Sequence, residues 1–569
     1  MEPGKLFIKF LRFIKPYWLY ELILLLIMIL ANTGSLASPY ILKIIIDDII
    51  PSKDVTYLIT ILLFLAGINI IRQLLDFYST YLYAKVSNNI ILDIRSELFD
   101  KILHFPLTFL DKNTTGDITH RINEEVTIVQ GMLTGSIIRF INNFLTITGL
   151  IIVLCLLNFK LFIFSILVVP FILLNIKFFQ PKIYFYITKS REKNADILTF
   201  FIERFKNIKL IKSYNSYQYE NEKLNSKGKD LLKLNLKTSI LASGTQNITG
   251  FLVSLSPLLV YAIGGQKVMS EEMTIGALIA FIQYLNRIFD PINNFSYLYW
   301  DLIRTSVSMR RIIEFLEMPI EPIRNKLKNI DYNRNISFKN VDFKYDDKLV
   351  LQDFNLELHK GKKYAIVGNS GCGKSTLINL LLKFYDADKG NIIIGDTDIT
   401  QIDTHELRNR ITLISQDNQL FYDSIFENIQ YGNHNSSKIE IENVMRLIGL
   451  ESFLNCTESI IGNDGILLSG GQKQQISIAR GLLKDADIII LDEATSALDS
   501  ENECKIFNSV VNNFKSKTII FISHRLSTIK NVDEVICLDR GKVIEQGTHD
   551  NLVALRGVYW KLFKKQIES

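Results

Sequence analysis

The sequence predicts two parts of different fold class, an all-α membrane domain of six helices followed by an α/β domain. Three observations lead to this prediction. First, 48% of the 569 residues are hydrophobic and only 22% are charged, with a mean hydropathy of +0.18. Second, long uncharged runs fill the first half of the chain. Third, short β-branched runs alternate with helical patterns in the second half, which is typical of a largely parallel sheet.

The first half, residues 1–317, contains apolar runs of the length that crosses a bilayer, which is about 20 residues. The run from Phe140 to Ile176 is interrupted only by Lys160, so it is predicted to form two helices that turn at 158–160. The last run is weaker because it carries Arg287 and Asp290. The predicted spans are 18–50, 55–78, 137–157, 160–178, 238–266 and 273–300.

The connections between these spans alternate between very short and very long. Residues 72–139 and 177–237 are predicted to be helical arms that continue roughly 40 Å beyond the membrane and then return. Their turning points are predicted at 106–117 and 211–220, where turn-forming residues occur. Lys and Arg are concentrated in the second arm and at the N-terminus. The positive-inside rule therefore predicts that both arms and both termini lie in the cytosol and that the helices span the plasma membrane.

Charge and cysteine content exclude several classes of protein. A net charge of +5 over 569 residues is too diluted to favour nucleic acid as a partner. The five cysteines form no CxxC pair, so neither a disulfide framework nor a zinc site is predicted.

Residues 318–335 are predicted to be a linker because Pro319 and Pro322 stand in a polar stretch, and residues 336–569 are predicted to form the α/β domain.

The segment GNSGCGKST follows the predicted strand YAIV and precedes a predicted helix. This context supports a phosphate-binding loop, in which glycines let the backbone wrap the phosphates of ATP. Lys374 is predicted to reach the β- and γ-phosphates, and the Ser375 hydroxyl to coordinate Mg²⁺. The predicted ATP-binding residues here are Gly368, Asn369, Ser370, Gly371, Cys372, Gly373, Lys374, Ser375 and Thr376.

A second motif, DIIILDE, is predicted to be a buried strand that ends in two carboxylates at the edge where ligands bind such sheets. Asp492 is placed to act on Mg²⁺, directly or through water. Glu493 is placed to orient and deprotonate the water that attacks ATP. We also expect a thiol reagent that labels Cys372, inside the phosphate loop, to inhibit ATP hydrolysis and ATP to protect against it; the alternative is that Cys372 is only a small residue tolerated there.

With these motifs the chain resembles the ABC transporter family, specifically exporter half-transporters in which the membrane domain precedes an ATP-binding cassette. The most specific segment is LSGGQ, residues 468–472. The resemblance implies that Tyr345 stacks on adenine, that Gln416 joins Mg²⁺ and the attacking water, and that His524 senses the γ-phosphate. It also implies that Asp499 lies in a loop at the dimer contact. The implied signature residues for a partner's ATP are Ser469, Gly470, Gly471 and Gln472.

The resemblance further implies that two chains pack head to tail, most simply as a homodimer, although a heterodimer remains an alternative. Residues 107–114 and 211–219 would act as levers that rest on the ATPase near Gln416. Two departures from the family pattern occur, Asn463 where a glutamate is usual and a second lever without its usual acidic pair. The implied function is export of a hydrophobic, amphiphilic or peptide-like substrate. Lipid flipping, uptake and a membrane-anchored regulatory ATPase remain alternatives.

Polar residues inside or near the spans are expensive in lipid, so as a set they predict a cavity for polar or amphiphilic cargo. For any single one, a bond between helices is the simpler explanation. The charged and amide residues of this set are Arg72, Asp76, Arg139, Arg287, Asp290, Asp301, Asn142, Asn143, Gln246, Asn247, Asn286, Asn293 and Asn294.

Overall fold

The computed structural model describes residues 3–113, 115–321, 331–332, 334–455, 457–461, 468–495, 499–523 and 529–568, with side chains except at 3–5, 292–300, 303–304, 500 and 565–568. The chain divides into two compact units. The first comprises Met1–Leu103 and Thr115–Met318, and the second comprises His104–Thr114 and Pro319–Ser569.

Helices fill the chain up to residue 316. They are α1 (Pro3–Ile14), α2 (Trp18–Ile44), α3 (Ile50–Ser52), α4 (Val55–Leu103), α5 (Leu107–Lys112), α6 (Thr115–His120), α7 (Val126–Gln130), α8 (Ile137–Ile166), α9 (Val169–Lys206), α10 (Ile208–Ser213), α11 (Tyr217–Met269) and α12 (Ile275–Leu316). Short 3₁₀ or π-helical turns join some of them, at Lys15–Tyr17, Ile45–Ile49, Arg121–Glu125 and Gly131–Ser136.

The two longest of these helices far exceed the thickness of a bilayer. Helix α4 has 49 residues and α11 has 53. At 1.5 Å per residue they extend about 74 and 80 Å, against a hydrocarbon thickness of about 30 Å. Both therefore continue well beyond a membrane, as the polar arms in the sequence led us to expect.

The chain turns where the sequence predicted. Asn158 has extended backbone angles, φ −165° and ψ 105°, which break α8, and its side chain accepts a bond from the Leu161 N–H at 3.1 Å. At the first arm Pro106 precedes α5, and at the second Asn215 adopts a left-handed φ of 52° between α10 and α11. Asparagine tolerates that conformation better than most residues.

Within the described residues, four helical stretches are long and apolar enough to cross a membrane. They are Leu6–Ser52, Val55–Leu103, Thr115–Ile166 and Tyr217–Met269. The third contains the break at Asn158, while α9 carries Lys177 and Lys182 near its start and α12 carries Arg287 and Asp290. The six predicted spans therefore stay a prediction.

The second unit combines two sheets with helices. Its strands are β1 (Ile336–Tyr345), β2 (Lys348–Leu358), β3 (Lys363–Gly368), β4 (Lys389–Ile394), β5 (Thr397–Asp398), β6 (Ile411–Ile414), β7 (Ile488–Asp492), β8 (Thr518–Ile522), β9 (Glu534–Asp539) and β10 (Lys542–Gly547). Its later helices are α13 (Lys374–Leu381), α14 (Thr404–Arg410), α15 (Ile425–Gln430), α16 (Lys438–Leu447), α17 (Gly470–Leu483), α18 (Ser500–Asn513), α19 (His549–Leu555) and α20 (Val558–Glu568).

Within the described residues, one sheet has six strands in the order β10-β9-β3-β8-β7-β6. All its neighbours are parallel except β9 and β10. The predicted α/β domain is thus confirmed, and three predicted strands, YAIV, DIIILD and TIIFI, correspond to β3, β7 and β8. The sequence did not predict the second, antiparallel sheet of order β2-β1-β4-β5, which carries Tyr345 at the end of β1.

Two of the hydrophobic cores of this unit lie on the two faces of the large sheet. One, between the sheets and α13, includes Phe338, Phe354, Ile366 and Leu377. The other packs α15, α16 and α17 on the opposite face of the large sheet, and its members include Ile429, Met445, Ile476, Leu482 and Ile489. The helix that follows the phosphate loop and the helix that follows the LSGGQ segment therefore belong to different cores.

Candidate functional site

The predicted phosphate loop connects the end of β3 to the start of α13. Gly368, Gly371 and Gly373 have φ angles of 159°, 79° and 111°, in the region that favours glycine. A Cβ atom on Gly368 would lie 2.3 Å from the Leu538 carbonyl oxygen, so no larger residue fits there. The backbone N–H groups at the start of α13 are left without helical partners and favour an anion.

Lys374 lies at the centre of this loop. Its Nζ donates to the carbonyl oxygens of Gly368 at 2.8 Å and Asn369 at 3.1 Å, and the residue is 9% exposed. Asn369 and Ser370 stand exposed on the outer curve, and the Ser375 side chain is exposed in the first turn of α13. The loop thus holds a positive charge and a hydroxyl where the phosphates of ATP would bind.

Two carboxylates follow the end of β7, as predicted. Burial, with a contribution from the neighbouring Glu493, raises the pKa of Asp492 to about 6, and the positive charge of Lys374 lowers it in part. Glu493 has a left-handed φ of 47°, and its N–H donates to the Ile522 carbonyl at 2.9 Å on β8. A residue with a side chain pays roughly 1 kcal/mol or more for that conformation, a strain typical of functional sites.

The residues present fit a Mg²⁺ ion. Asp492, Ser375 and Gln416 offer carboxylate, hydroxyl and amide oxygens, which are the ligands that Mg²⁺ prefers. Ile414 of β6 pairs with Leu491 of β7, so the segments that carry Gln416 and Asp492 leave the sheet at the same edge. Burial, the main cause of the raised pKa, leaves the Asp492 carboxylate poorly solvated, and a bound cation would stabilise its charge.

Tyr345 lies at the end of β1 beside the helix of the phosphate loop. Its hydroxyl accepts a bond from Asn379 of α13 at 3.0 Å. Its ring meets the ring of Tyr385 edge to face, with centroids 5.1 Å apart. The predicted adenine-stacking residue is therefore tied to the same helix that begins with Lys374.

The LSGGQ segment begins α17. Ser469 caps this helix, its Oγ accepting from the Gln472 N–H at 3.2 Å, while the Gln472 side chain accepts from the Ser469 N–H at 2.8 Å. This reciprocal capping box leaves Ser469 and Gly470 exposed. Helix α17 packs on α15, α16 and β6, whereas α13 packs on β3. The phosphate loop and the LSGGQ segment therefore begin helices that pack on different elements of the chain.

Asp499 caps α18, with its carboxylate accepting from the Asn502 side chain at 2.7 Å. That bond holds the pKa of Asp499 below its usual value. His524 and Asn463 lie outside the described residues, as does 496–498.

Sequence analysis missed a partly buried arginine, Arg480, that joins the signature helix to the segment after Gln416. Arg480 donates to the carbonyl and side-chain oxygens of Asn428, both at 2.8 Å, and to the Gln419 carbonyl at 3.1 Å. Asn428 also accepts from the Phe421 N–H at 2.9 Å. The available signal was position, since Arg480 falls one turn after Ile476 on the buried face of α17.

A second missed feature is the tip of the first arm, which belongs to the second unit. Lys112 of α5 pairs with Asp346 at 2.9 Å, and the Tyr385 hydroxyl donates to Asp111. Asp346 directly follows Tyr345, so these two contacts lie beside the predicted adenine-stacking residue. The expectation that this tip also rests near Gln416 stays a prediction. Residues 211–219 belong to the first unit.

The start of the linker is fixed to the same tip. The Glu321 N–H donates to the His104 carbonyl at 2.8 Å. Its carboxylate receives both ends of the Arg408 guanidinium, at 2.8 and 3.1 Å. A two-bonded arginine–carboxylate pair is geometrically specific, so the arm and the linker are anchored together.

The first unit contains a cavity of about 730 Å³ between α9, α11 and α12. Four of the polar residues singled out in the sequence line it, namely Gln246, Asn286, Asp290 and Asp301. Apolar lining residues include Ile176, Ile183, Ile187, Val253 and Phe289. The cavity therefore combines a hydrophobic wall with carboxylates and amides.

Others of that set form hydrogen bonds instead. Arg287 donates to the Ser35 carbonyl at 2.5 Å and Asn142 accepts from the Asn32 side chain at 2.7 Å, so both connect helices. Arg139 donates to the Gly135 carbonyl, one turn earlier in its own helical stretch, at 3.3 Å. Asn143 is buried, and Arg72, Asp76 and Asn247 do not line the cavity. The side chains of Asn293 and Asn294 are outside the described residues.

Comparison with known proteins gives matches over both parts. Residues 22–292 match the ABC transporter transmembrane region, and residues 351–496 match the profile described as ABC transporter. A Bacillus subtilis protein, named as a candidate multidrug export ATP-binding/permease protein, is 32% identical over 98% of this chain and 99% of its own. The ATP-dependent lipid A-core flippase of Desulfotalea psychrophila is 31% identical over 95% of each chain.

A solved structure gives the same result for the fold. The structure of a bacterial Atm1-family ABC exporter with ATP bound matches with a TM-score of 0.83 and 25% identity. The match covers 96% of this chain and 98% of that one.

We predict that Mg²⁺ binding with ATP weakens as the pH falls through about 6, because Asp492 then takes up a proton. An aspartate with an ordinary pKa near 3.9 would stay ionised and give no such loss above pH 5. The measurement is calorimetric titration of the full-length protein with ATP and Mg²⁺ from pH 5 to 8. The control is Asp492→Asn, which should show only the titration of ATP itself; identical profiles for the two proteins would contradict the assignment.

We also revise the expectation for Cys372. The residue is 4% exposed, and burial raises the pKa of its thiol, so little reactive thiolate is present at neutral pH. At pH 7.5 iodoacetamide should modify the exposed Cys504 at least about tenfold faster than Cys372, measured by peptide mass spectrometry. Equal rates in the two peptides would restore the original expectation.

Proposed function

This chain belongs to the ABC transporter family, with the membrane region and the ATPase fused in one chain, and from that membership we propose an exporter assembled from two copies. It hydrolyses ATP to move a hydrophobic, amphiphilic or peptide-like substrate across the cell membrane by alternating access. The positive-inside rule places both termini and both long arms in the cytosol.

The observation that carries this proposal is the exposed start of α17. Ser469 is already capped, and Gly470 follows it at a helix end that favours anions, yet α17 and α13 stand on different cores. A head-to-tail dimer gives each signature helix a phosphate, the one held by Lys374 of the other subunit. Two ATP sites then form, each shared by two chains.

Within each site the residues of this chain have distinct roles. Tyr345 stacks on adenine, and the phosphate loop with Lys374 holds the triphosphate. Ser375, Gln416 and Asp492 hold Mg²⁺, which supplies positive charge against the phosphate oxygens. Glu493 orients the attacking water and accepts its proton, and its strained backbone fixes that orientation. His524 and Asp499 complete the site at the γ-phosphate and the dimer contact.

The signature and the first arm connect ATP binding to movement. Arg480 ties α17 to the segment after Gln416, so closure of a dimer would be transmitted to that segment. The α5 tip rests through Asp111 and Lys112 on residues beside Tyr345, and α4 leads into this tip along the chain. ATP favours the closed state only by binding it more tightly than the open one.

Lipid flipping is the second candidate, because the Desulfotalea relative carries that name and the architecture is shared. It differs from export only in where the cargo enters. A heterodimer remains compatible with the motifs, but every catalytic motif in this chain is complete, which favours two active sites in a homodimer.

A mixed dimer tests whether each ATP site is shared between chains. In the first pairing, one subunit carries Lys374→Ala and its partner carries Ser469→Arg; in the second, one subunit carries both changes and its partner neither. Shared sites leave one intact site in the first pairing and none in the second. We expect at least about tenfold higher ATPase activity from the first pairing than from the second. Both pairings contain the same two substitutions, so they differ only in whether the substitutions lie on one subunit or on two.

The two pairings are isolated with different affinity tags on the two chains, in lipid nanodiscs. If each chain formed its own site, the second pairing would be the active one, so the reverse ranking refutes the proposal. Glu493→Gln in both subunits provides the background, because it should bind ATP and hydrolyse it at least about a hundredfold more slowly.

A second prediction concerns the α5 tip. Tyr385→Phe removes the hydroxyl that bonds Asp111 but keeps the ring beside Tyr345. In this variant, the ATP concentration that produces half of the change in cavity accessibility should be about tenfold higher than in the unmodified protein. The reason is that a hydrogen bond to a charged group contributes about 1.5 kcal/mol. The measurement is the labelling rate of Gly250→Cys against ATP concentration.

The matched control is Tyr422→Phe, which removes a hydroxyl from an exposed tyrosine of the same unit. ATP affinity, measured separately, should stay unchanged in both variants. Unaltered ATP dependence of labelling in Tyr385→Phe would show that this contact does not connect the two halves.

A further inference from the structure

We infer that the cavity between α9, α11 and α12 selects amphiphiles that carry a positive charge, with the Asp290 carboxylate as the recognising group. The inference rests on the proposed export function and narrows its substrate class. Hydrophobic, anionic and peptide-like cargo remain open in that proposal. The charge pattern of the cavity distinguishes between them.

The first observation is the state of Asp290. Its side chain is exposed to the cavity, and among the described residues no hydrogen bond or ion pair is recorded for it. Arg287, one turn earlier, is occupied by the Ser35 carbonyl at 2.5 Å and does not line the cavity. A carboxylate inside a membrane domain is expensive without a partner, which makes it a site for an incoming cation.

The second observation is that the carboxylates share one face of α12. Asn286 and Asp290 are four residues apart, and Asp301 follows three turns later, roughly 16 Å along the helix. Asp301 accepts a bond from the Ser136 hydroxyl at 3.3 Å. A charged cargo entering along this face would meet carboxylates at two depths.

Among the residues whose side chains are described, one cation lines the cavity, Arg191, and its position limits its effect. Arg191 lies next to Ser190, whose hydroxyl donates to the side chain of Asn235 on α11 at 2.5 Å. Asn235 precedes Thr238, which is the first residue of α11 that lines the cavity. Arg191 therefore stands at one end. Asp290 adjoins Phe289, which packs in the apolar core with Ile172 and Val260, so it lies deep. The deep part of the cavity is negative.

The remaining walls fit a hydrophobic body. Ile176, Ile183 and Ile187 recur at helical spacing along α9, and Phe289 adds an aromatic surface. Apolar walls favour binding of a large hydrophobic group, and the carboxylate favours a ligand that carries a positive charge. An anionic head group would instead meet two like charges, which selects against it.

The test compares two ions of similar size and opposite charge, tetraphenylphosphonium and tetraphenylborate. With the full-length protein in nanodiscs, the phosphonium should stimulate ATPase activity and the borate should not. In inside-out proteoliposomes only the phosphonium should accumulate with ATP. Asp290→Asn should raise the half-stimulating phosphonium concentration about tenfold, which corresponds to about 1.4 kcal/mol.

Matched variants separate recognition from folding. Asp290→Glu keeps the charge and should restore most of the affinity, whereas Asp76→Asn removes a carboxylate from α4 that does not line the cavity and should change nothing. Gly250→Leu should block stimulation, since a Cβ there enters open space in the cavity. Gly244→Leu, on the same helix but not among the lining residues, also meets open space and is its control.

The outcomes distinguish this inference from the function on which it rests. Stimulation by tetraphenylborate, or an unchanged phosphonium response in Asp290→Asn, overturns the cation assignment. Stimulation by neither ion also overturns it, and ATPase activity abolished by Glu493→Gln then leaves the transporter proposal standing. ATPase activity unaffected by Glu493→Gln overturns both.

Discussion

Strands β3, β8, β7 and β6 run parallel, with pairs such as Ile366 to Ile522 and Leu491 to Phe521, and this pairing decides where the nucleotide-binding groups stand. Because the carboxyl ends of parallel strands meet at one edge, segments far apart in sequence leave the sheet side by side. The phosphate loop, the segment carrying Gln416 and the pair Asp492 and Glu493 all follow such ends. The catalytic half of the molecule depends on this register.

The site holds charge and strain that the fold has to support. Burial and the neighbouring Glu493 raise the pKa of Asp492, and Glu493 itself stands in a left-handed conformation. Lys374 lies buried among loop carbonyls. Burial of charge and a left-handed backbone each cost stability, and such features are common at functional sites.

Polar groups in the membrane half divide into two kinds. One kind forms hydrogen bonds with carbonyl or amide groups of the same or a neighbouring helix, as Arg287, Asn142 and Arg139 do. These bonds offset the free energy of placing a polar side chain in apolar surroundings. Asp290, Asn286 and Gln246 face a cavity instead. This division gives the cavity its chemistry, because side chains left without partners are the ones that a cargo can reach.

The sequence by itself determined the two fold classes, the break at Asn158, the phosphate loop and the carboxylates after β7, because each depends on local periodicity, turn residues or a contiguous motif. It could not place Tyr345 on a separate antiparallel sheet, bring Asp111 to Tyr385, or bind Arg480 to Asn428. It also could not separate Asp290 from Arg287, which lie one turn apart. These depend on contacts between segments distant in the chain, and only the tertiary structure decides which side chains meet.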